Sequence, residues 1–428
     1  MKIKILTLFS FSTIGFCCAA QTTEQISKAD IIIRDVNVLS MSQPEAQEHQ
    51  IICISRGKIT FIGSDNSAKE LKTNAKIITG KGQYVMPGMA DMHCHFPEKK
   101  EIKKYFVLNL MAGVTTLRSM QGNSEHLNYR NADFPHPNLY LSAPPVFAKI
   151  TITNKVGDSL MEKYKADGFD FVKVMSIKDS ASFASLMSSA KKYNMPVCGH
   201  MPKNISLEYL LQSGYNSIEH LGGQVSAYDK GVDNFQRILS LTKKNDVYDC
   251  PTLDWYQIAY SQVPEADLKK RIGLEYIPDS VKQKWSKQMA DDAKKTNAEI
   301  IKQKADYKLT QEKQFKILKL ITDNNVGLLI GLDAGGLYSV PGFDMIEEMK
   351  LYKKAGLSNY QILQAATINA TKYLKQDKEW GTVETGKDAN LILLSENPLI
   401  NIEAITKIEG IFLGAKYFIP KELGKTIN

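Results

Sequence analysis

The sequence predicts an α/β fold: an eight-stranded (β/α) barrel of the TIM type, with a small β-sandwich formed by the N- and C-terminal segments. Three observations lead there. Strand-like and helix-like segments alternate through the middle of the chain, the pattern of βα units and a parallel sheet. Both chain ends read instead as short strands set off by glycine turns. Finally, 428 residues of which 43% are hydrophobic can supply one α/β domain of roughly 250–300 residues plus a smaller unit. That composition also excludes a disordered, collagenous or disulfide-scaffold chain.

Taken in order, residues 1–20 open on a basic start, Met1-Lys2-Ile3-Lys4, and continue apolar from Ile5 to Phe16. The small residues Cys18-Ala19-Ala20 before Gln21 fit signal-peptidase cleavage. Export to the periplasm or the medium is therefore expected. Acylation of Cys17 or Cys18, giving a lipid-anchored protein, is the alternative, disfavoured by the bulky Phe16 before Cys17. No later segment is long and apolar enough to cross a bilayer, so the mature chain is expected to lack a transmembrane segment.

Residues 21–87 are expected to form the N-terminal part of the sandwich, through Asp30-Ile31-Ile32-Ile33, Gln50-Ile51-Ile52-Cys53-Ile54 and Lys58-Ile59-Thr60-Phe61-Ile62. Residues 377–428 supply its C-terminal part, with Ala389-Asn390-Leu391-Ile392-Leu393-Leu394 and Gly410-Ile411-Phe412-Leu413. Between them, 88–376 carries eight candidate barrel strands, at 88–93, 115–118, 138–141, 169–174, 196–200, 217–220, 247–252 and 327–333. In such a barrel, chemistry belongs where strands end and loops begin. A charged, helical insertion at 253–323 separates the last two strands and carries Trp255, Tyr256, Tyr276 and Trp285, as a lid would.

The formal charge is +8, from 54 basic and 46 acidic residues. The densest basic stretch, Lys282 to Lys316, is interleaved with Asp291, Asp292, Glu299, Asp306 and Glu312, which makes a solvated helical face. A nucleic-acid partner would need a one-signed surface, so none is expected. A small-molecule substrate is expected, and assembly as a homo-oligomer stays open. Cys53, Cys94, Cys198 and Cys250 lie far apart without a CxxC pair, so free buried thiols are the expectation.

Only seven histidines occur, and four of them, His93, His95, His200 and His220, stand at the ends of candidate strands. His93 and His95 are two apart, so on a strand they share a face while Cys94 points away. Imidazoles so placed suit Zn²⁺ and related metals, although a lone HxH also occurs by coincidence. Asp333 ends the eighth strand before Ala334-Gly335-Gly336. There a carboxylate can ligate a metal and shuttle a proton, or simply start a turn. Lys173 interrupts the apolar run Phe171-Val172-Lys173-Val174-Met175. It either snorkels outward or is desolvated, and a neutral amine can then capture carbon dioxide as a carbamate that bridges two cations. Asp91 reads as a structural residue one layer deeper than His93. His49, His126 and His136 read as ordinary loop or surface residues.

Together these segments resemble the amidohydrolase superfamily. The resemblance begins at Val85-Met86-Pro87-Gly88-Met89-Ala90-Asp91-Met92-His93-Cys94-His95. It continues in order through Gly113-Val114-Thr115-Thr116-Leu117-Arg118, Val172-Lys173-Val174, Val197-Cys198-Gly199-His200, Ile218-Glu219-His220 and Gly331-Leu332-Asp333. It ends with Ala365-Ala366-Thr367-Ile368-Asn369-Ala370-Thr371 and 381–391. The resemblance implies two divalent cations, Zn²⁺ by preference. His93 and His95 with Asp333 would hold one, His200 and His220 the second, and Lys173, carboxylated by carbon dioxide, would bridge both.

The strand-four lysine is similar to that of imidazolonepropionase-like and Xaa-Pro dipeptidase-like members, and argues against the mononuclear deaminases. The implied activity is hydrolysis of an amide or peptide-type bond in a dipeptide or N-acyl amino acid, by a metal-bridging hydroxide with Asp333 as proton shuttle. Lactones, phosphotriesters and cyclic amides are the rival substrates, and a non-catalytic binding protein on the same scaffold is the rival class. Leu332, where the superfamily usually has Thr, and Ser119, where it commonly has Asp, depart from the pattern without replacing a ligand. Arg118, Tyr228 and Glu348 are candidates for substrate contact, with a barrel-packing or solvent-facing role as the equal alternative for each.

Overall fold

The computed structural model describes residues 26–68, 73–294 and 298–427. The expected signal peptide and the cysteines at 17 and 18 lie outside the described residues.

Eight parallel strands occupy the middle of the chain, in the order expected. Strands one to three, Met89–Cys94, Val114–Ser119 and Asn138–Leu141, form one sheet. Strands four to eight, Val172–Val174, Val197–Gly199, Ser217–Glu219, Tyr248–Cys250 and Gly327–Leu328, form another. Backbone hydrogen bonds cross both junctions between them. Ala143 N–H donates to Phe171 O at 2.8 Å and Val146 N–H to Lys173 O at 2.9 Å. On the other side, Met92 N–H reaches Ile330 O at 2.8 Å and Asp333 N–H reaches His93 O at 2.7 Å.

Several strands are shorter than the sequence pattern suggests, for a local reason. His220, Leu221, Thr252 and Asp333 all take left-handed backbone conformations, with φ of 63°, 54°, 51° and 50°. A residue in that region turns the chain out of the ladder. Strand six therefore stops at Glu219, directly before His220, and strand seven at Cys250, just before Thr252.

The intervening helices have ordinary end signals. Asp179 caps Ser180–Tyr193 by accepting the Ser182 N–H, and Asn194 ends that helix in a left-handed turn. Ser358 and Gln361 make a capping box at Asn359–Ala366, so both helix starts satisfy otherwise orphaned amides. The region between strands seven and eight is helical, as expected, with Leu253–Ala259, Glu265–Leu268, Asp279–Ala293 and Ala298–Asp323. No helix among the described residues is long and apolar enough to cross a membrane.

The two chain ends meet in a single mixed sheet. Its order is Lys416–Phe418, Ile408–Leu413, Asn390–Leu394, Tyr84–Pro87, Ile31–Val38, Gln47–Ser55 and Lys58–Ser64, with Lys76–Thr79 also pairing with Ile31–Val38. Ile33, Val36, Val38, Ile52, Ile54 and Leu391 pack on one face and Ile32, Ile51 and Cys53 on the other. This is the alternation a strand imposes. The pairing makes one continuous ladder, not the two separately bonded sheets that a sandwich implies. Gly88 alone separates the Tyr84–Pro87 strand from parallel strand one. A Cβ there would lie 2.2 Å from Thr115 Oγ1, so only glycine lets the two units abut. Cys53, Cys94, Cys198 and Cys250 are buried and free, as expected.

Candidate metal centre

Strand alternation sends His93 and His95 to one side of strand one, and the left-handed turn at Asp333 swings its carboxylate toward them. His95 Nε2 lies 3.1 Å from Asp333 Oδ1, and His93 Nε2 lies 3.8 Å from the same oxygen. Their donor atoms form a group compact enough to hold one cation. His220 Nε2 is 4.0 Å from Asp333 Oδ2. The His220 ring stands 4.8 Å from that of His93 and 5.0 Å from that of His200. Lys173 Nζ sits 3.1 Å from His93 Nε2. All six side chains singled out as metal ligands in the sequence thus converge, from the ends of five strands.

Close approach of strands one, seven and eight makes this possible. A Cβ on Gly331 would fall 2.5 Å from both Cys250 Sγ and His93 Cβ. Asp91 fastens the same seam, accepting the N–H groups of His93 and Leu332 at 3.0 Å each. It has the structural place expected of it, and burial pushes its carboxyl up to about 7.

The electrostatics favour ligands over salt bridges. Burial, reinforced by neighbouring cationic groups, pulls His93 well below its usual range, lowers His200, and brings His220 down to about 3. Neutral imidazole is the form that binds metal. Burial likewise lowers Lys173, which is 1% exposed, so the side chain does not snorkel to solvent.

Two orienting residues were not assigned from the sequence. Glu219 Oε2 lies 2.7 Å from His93 Nδ1, with both side chains fully buried. A carboxylate there accepts the Nδ1–H hydrogen bond and leaves Nε2 as the open lone pair. Thr252 Oγ1 lies 2.7 Å from His220 Nδ1 in the same manner. The signal for Glu219 was available, since it is an acid inside the apolar strand of Ile218-Glu219-His220. His93, Glu219 and Cys250 also lie close enough to hold a cation. Glu219, however, already accepts from Arg118 at 2.9 Å and from Ser217 at 2.7 Å, so its oxygens are committed within the protein.

Arg118 takes the packing alternative: it is 0% exposed. Its guanidinium donates to Met92 O, Ser217, Tyr373 and Glu219 at 2.5–3.0 Å. An arginine on a core strand reads like a pocket arginine until its partners are known. Tyr228 sits half-buried on Gln224–Asp229 and packs edge-on to Phe235 at 5.5 Å; among the described residues no ring contact joins it to the histidine cluster. His49 is a surface residue paired with Asp35. His126 is buried, 5.1 Å from the ring of Phe96. Trp255 and Tyr256 stand beside the centre, with rings 6.4 and 5.6 Å from His220.

Residues 84–417 match the family model described as "Amidohydrolase family". An adenine deaminase of Clostridium perfringens is 22% identical over 229 residues, 48% of this chain and 39% of the deaminase, so the match spans well under half of that relative. Among solved structures, a putative prolidase from Bifidobacterium longum is similar at a TM-score of 0.71, with 17% identity over 94% of this chain and 99% of that one. A Xaa-Pro dipeptidase with bound methionine in its active site gives 0.67, with 17% identity over 91% and 99%. A bottromycin amidohydrolase gives 0.69, with 18% identity over 96% and 92%. At these identities the likeness is one of fold. The family-model match over residues 84–417 places the chain in the amidohydrolase family.

Proposed function

We propose that this protein is an exported, binuclear metal-dependent hydrolase that cleaves an amide or peptide-type bond in a dipeptide or N-acyl amino acid. The observation that carries the reading is the convergence of four imidazoles, Lys173 and Asp333 at one rim. The donor set fits two cations: neutral nitrogens, one carboxylate, and a buried amine able to become an anionic carbamate. His93, His95 and Asp333 would hold one cation, His200 and His220 the other, and carboxylated Lys173 would lie between them. The cations, zinc in the reading preferred here, supply Lewis acidity toward the scissile carbonyl and acidify water.

The chain's own residues do the rest. Glu219 and Thr252 hold the His93 and His220 rings with Nε2 toward the centre. Asp333 Oδ takes the proton of the attacking water and returns it to the leaving nitrogen, so one carboxylate acts first as base and then as acid. Trp255 and Tyr256 shield the flank beside His220. In this reading 88–376 is a closed barrel with 253–323 inserted, and export rests on the sequence of residues 1–20.

A hydrolysis screen with metal-reconstituted protein tests the proposal. Dipeptides and acyl amino acids should be turned over in preference to lactones and phosphotriesters. Turnover confined to the latter would refute the bond assignment.

A further inference from the structure

Four buried charged side chains near the site have no part in the chemistry above: Asp254, Arg271, Asp344 and Glu348. They form one connected structure. Glu348 accepts the backbone N–H groups of Leu253 at 2.9 Å and Asp254 at 2.7 Å. Arg271 forks onto Asp254, with Nη1 at 2.8 Å from Oδ2 and Nη2 at 2.5 Å from Oδ1, and its Nη1 also reaches Asp344 at 3.4 Å. Asp344 in turn accepts the Ser339 hydroxyl at 2.5 Å and the Val340 N–H at 2.9 Å. Ser339 Oγ accepts the Gly335 N–H at 3.3 Å.

The two ends of this chain of bonds flank the metal centre. Gly335 follows Asp333 by two residues. Leu253 and Asp254 directly follow Thr252, the partner of His220, and directly precede Trp255 and Tyr256. The bonds therefore tie the loop after strand seven to the loop after strand eight, across the mouth of the site.

Adhesion between these segments does not need charge. Ile258, Leu268, Leu274, Tyr338 and Val340 already form a buried apolar cluster between them. Apolar contact is non-directional, whereas a bidentate guanidinium–carboxylate fork fixes orientation. Buried ion pairs also add little net stability over apolar replacements. What this network contributes is geometry.

We propose that Arg271 is a positioning residue: it locks the strand-seven loop to the strand-eight loop and so fixes the Trp255–Tyr256 wall against which substrate packs beside His220. The proposal rests on the metal-centre reading above.

Its test uses Arg271→Met, which leaves Asp254 and Asp344 without their cation, and Asp254→Asn/Arg271→Met, which removes the buried fork as a unit and keeps the experiment decisive where the single variant fails to fold. Arg271→Lys retains the charge without the fork and should not restore the wild-type behaviour. In folded variants of unchanged metal content, amide exchange across 252–260 and 334–341 should rise about ten-fold or more, reporting local opening. KM should rise about ten-fold with kcat within about three-fold, the mark of lost substrate positioning. In a Trp255→Ala/Tyr256→Ala background the same changes should add nothing to KM, because the wall through which Arg271 acts is gone. Unchanged exchange and KM, an equal KM loss in the background lacking the wall, or loss of bound metal would each overturn the proposal. A wild-type protein inert to every substrate in the screen would remove the proposed function, while amide exchange would still decide the clamp.

Discussion

Replacing Glu219 by Gln changes one atom and tests the orientation of His93 directly. The carboxylate lies between two demands: Oε2 accepts the His93 Nδ1–H hydrogen bond at 2.7 Å, and Oε1 accepts from Arg118 Nη2 at 2.9 Å and Ser217 Oγ at 2.7 Å. An amide cannot meet both. With its oxygen kept toward Arg118, its NH₂ faces Nδ1 and drives the imidazole into the tautomer protonated at Nε2, which cannot ligate. With the amide flipped, two donors confront each other at Arg118. The loss of an orienting partner of this type weakens metal affinity about 10- to 100-fold, or roughly 1.4–2.7 kcal/mol. The wrong tautomer places Glu219→Gln at the upper end.

The same change weakens a fully buried ion pair, for which losing one partner costs about 3–5 kcal/mol of stability. The retained amide oxygen brings that to the lower end. Arg118→Met separates the two effects, since it breaks the pair yet leaves the carboxylate free to hold His93. The assay is competition of bound zinc against a chelator of known affinity, with thermal unfolding of the metal-free proteins in parallel. Glu219→Gln should lose metal affinity and stability, Arg118→Met mainly stability. A folded Glu219→Gln protein that binds both metals as tightly as wild type would refute the tautomer argument.

Three further outcomes are expected. Lys173→Ala should fold but retain fewer than two metals per chain by elemental analysis and lose nearly all turnover; two metals with near-normal activity would exclude a carbamate bridge. Gly331→Ala should cost about 1–3 kcal/mol in denaturant unfolding through overpacking, and should also lower metal content, because the added methyl meets His93 Cβ at 2.5 Å. Asp249 is fully buried, and burial pushes it up to about 7 despite donation from Gln224 Nε2 at 3.1 and 3.2 Å. The folded state therefore holds its proton more tightly than the unfolded state. The stabilising contribution is complete below about pH 4 and is lost as pH rises through about 7, at up to about 1.4 kcal/mol per pH unit. Asp249→Asn should flatten the stability profile in that window relative to wild type, and parallel profiles would contradict the assignment.

The six ligand candidates were legible because each violates its surroundings: four imidazoles and a carboxylate stand at the ends of apolar runs and an amine interrupts one, in the order a strand–helix repeat requires. Period-two alternation placed His93 and His95 on one face without further information. The partners of these residues were not legible. Glu219 and Arg118 meet across strands two and six, and no local pattern in either strand specifies that pairing. The left-handed turns at His220, Thr252 and Asp333 were hidden because none is glycine; packing, not propensity, holds them there. For the same reason the strands were drawn too long at their C-terminal ends. The partnership of the two chain ends followed from their shared strand character, but their union in one ladder depends on which edges meet. Alternation determines faces and leaves edges free.

That ladder has a consequence for how the molecule is made. Tyr84–Pro87, one residue upstream of the strand that bears His93, is paired on one side with Ile31–Val38 and on the other with Asn390–Leu394. The second partner lies about three hundred residues further along the chain. At a synthesis rate of roughly 5–20 residues per second, the nascent chain waits on the order of 15–60 s for it. Until then one edge of the short segment leading into strand one stays open, with its amides and carbonyls unpaired. The enzyme cannot mature from its N-terminus onward like beads on a string. The segment leading into His93 and His95 is clasped on both sides only after the ribosome has added Asn390–Leu394, which favours keeping the chain unfolded until that strand has emerged.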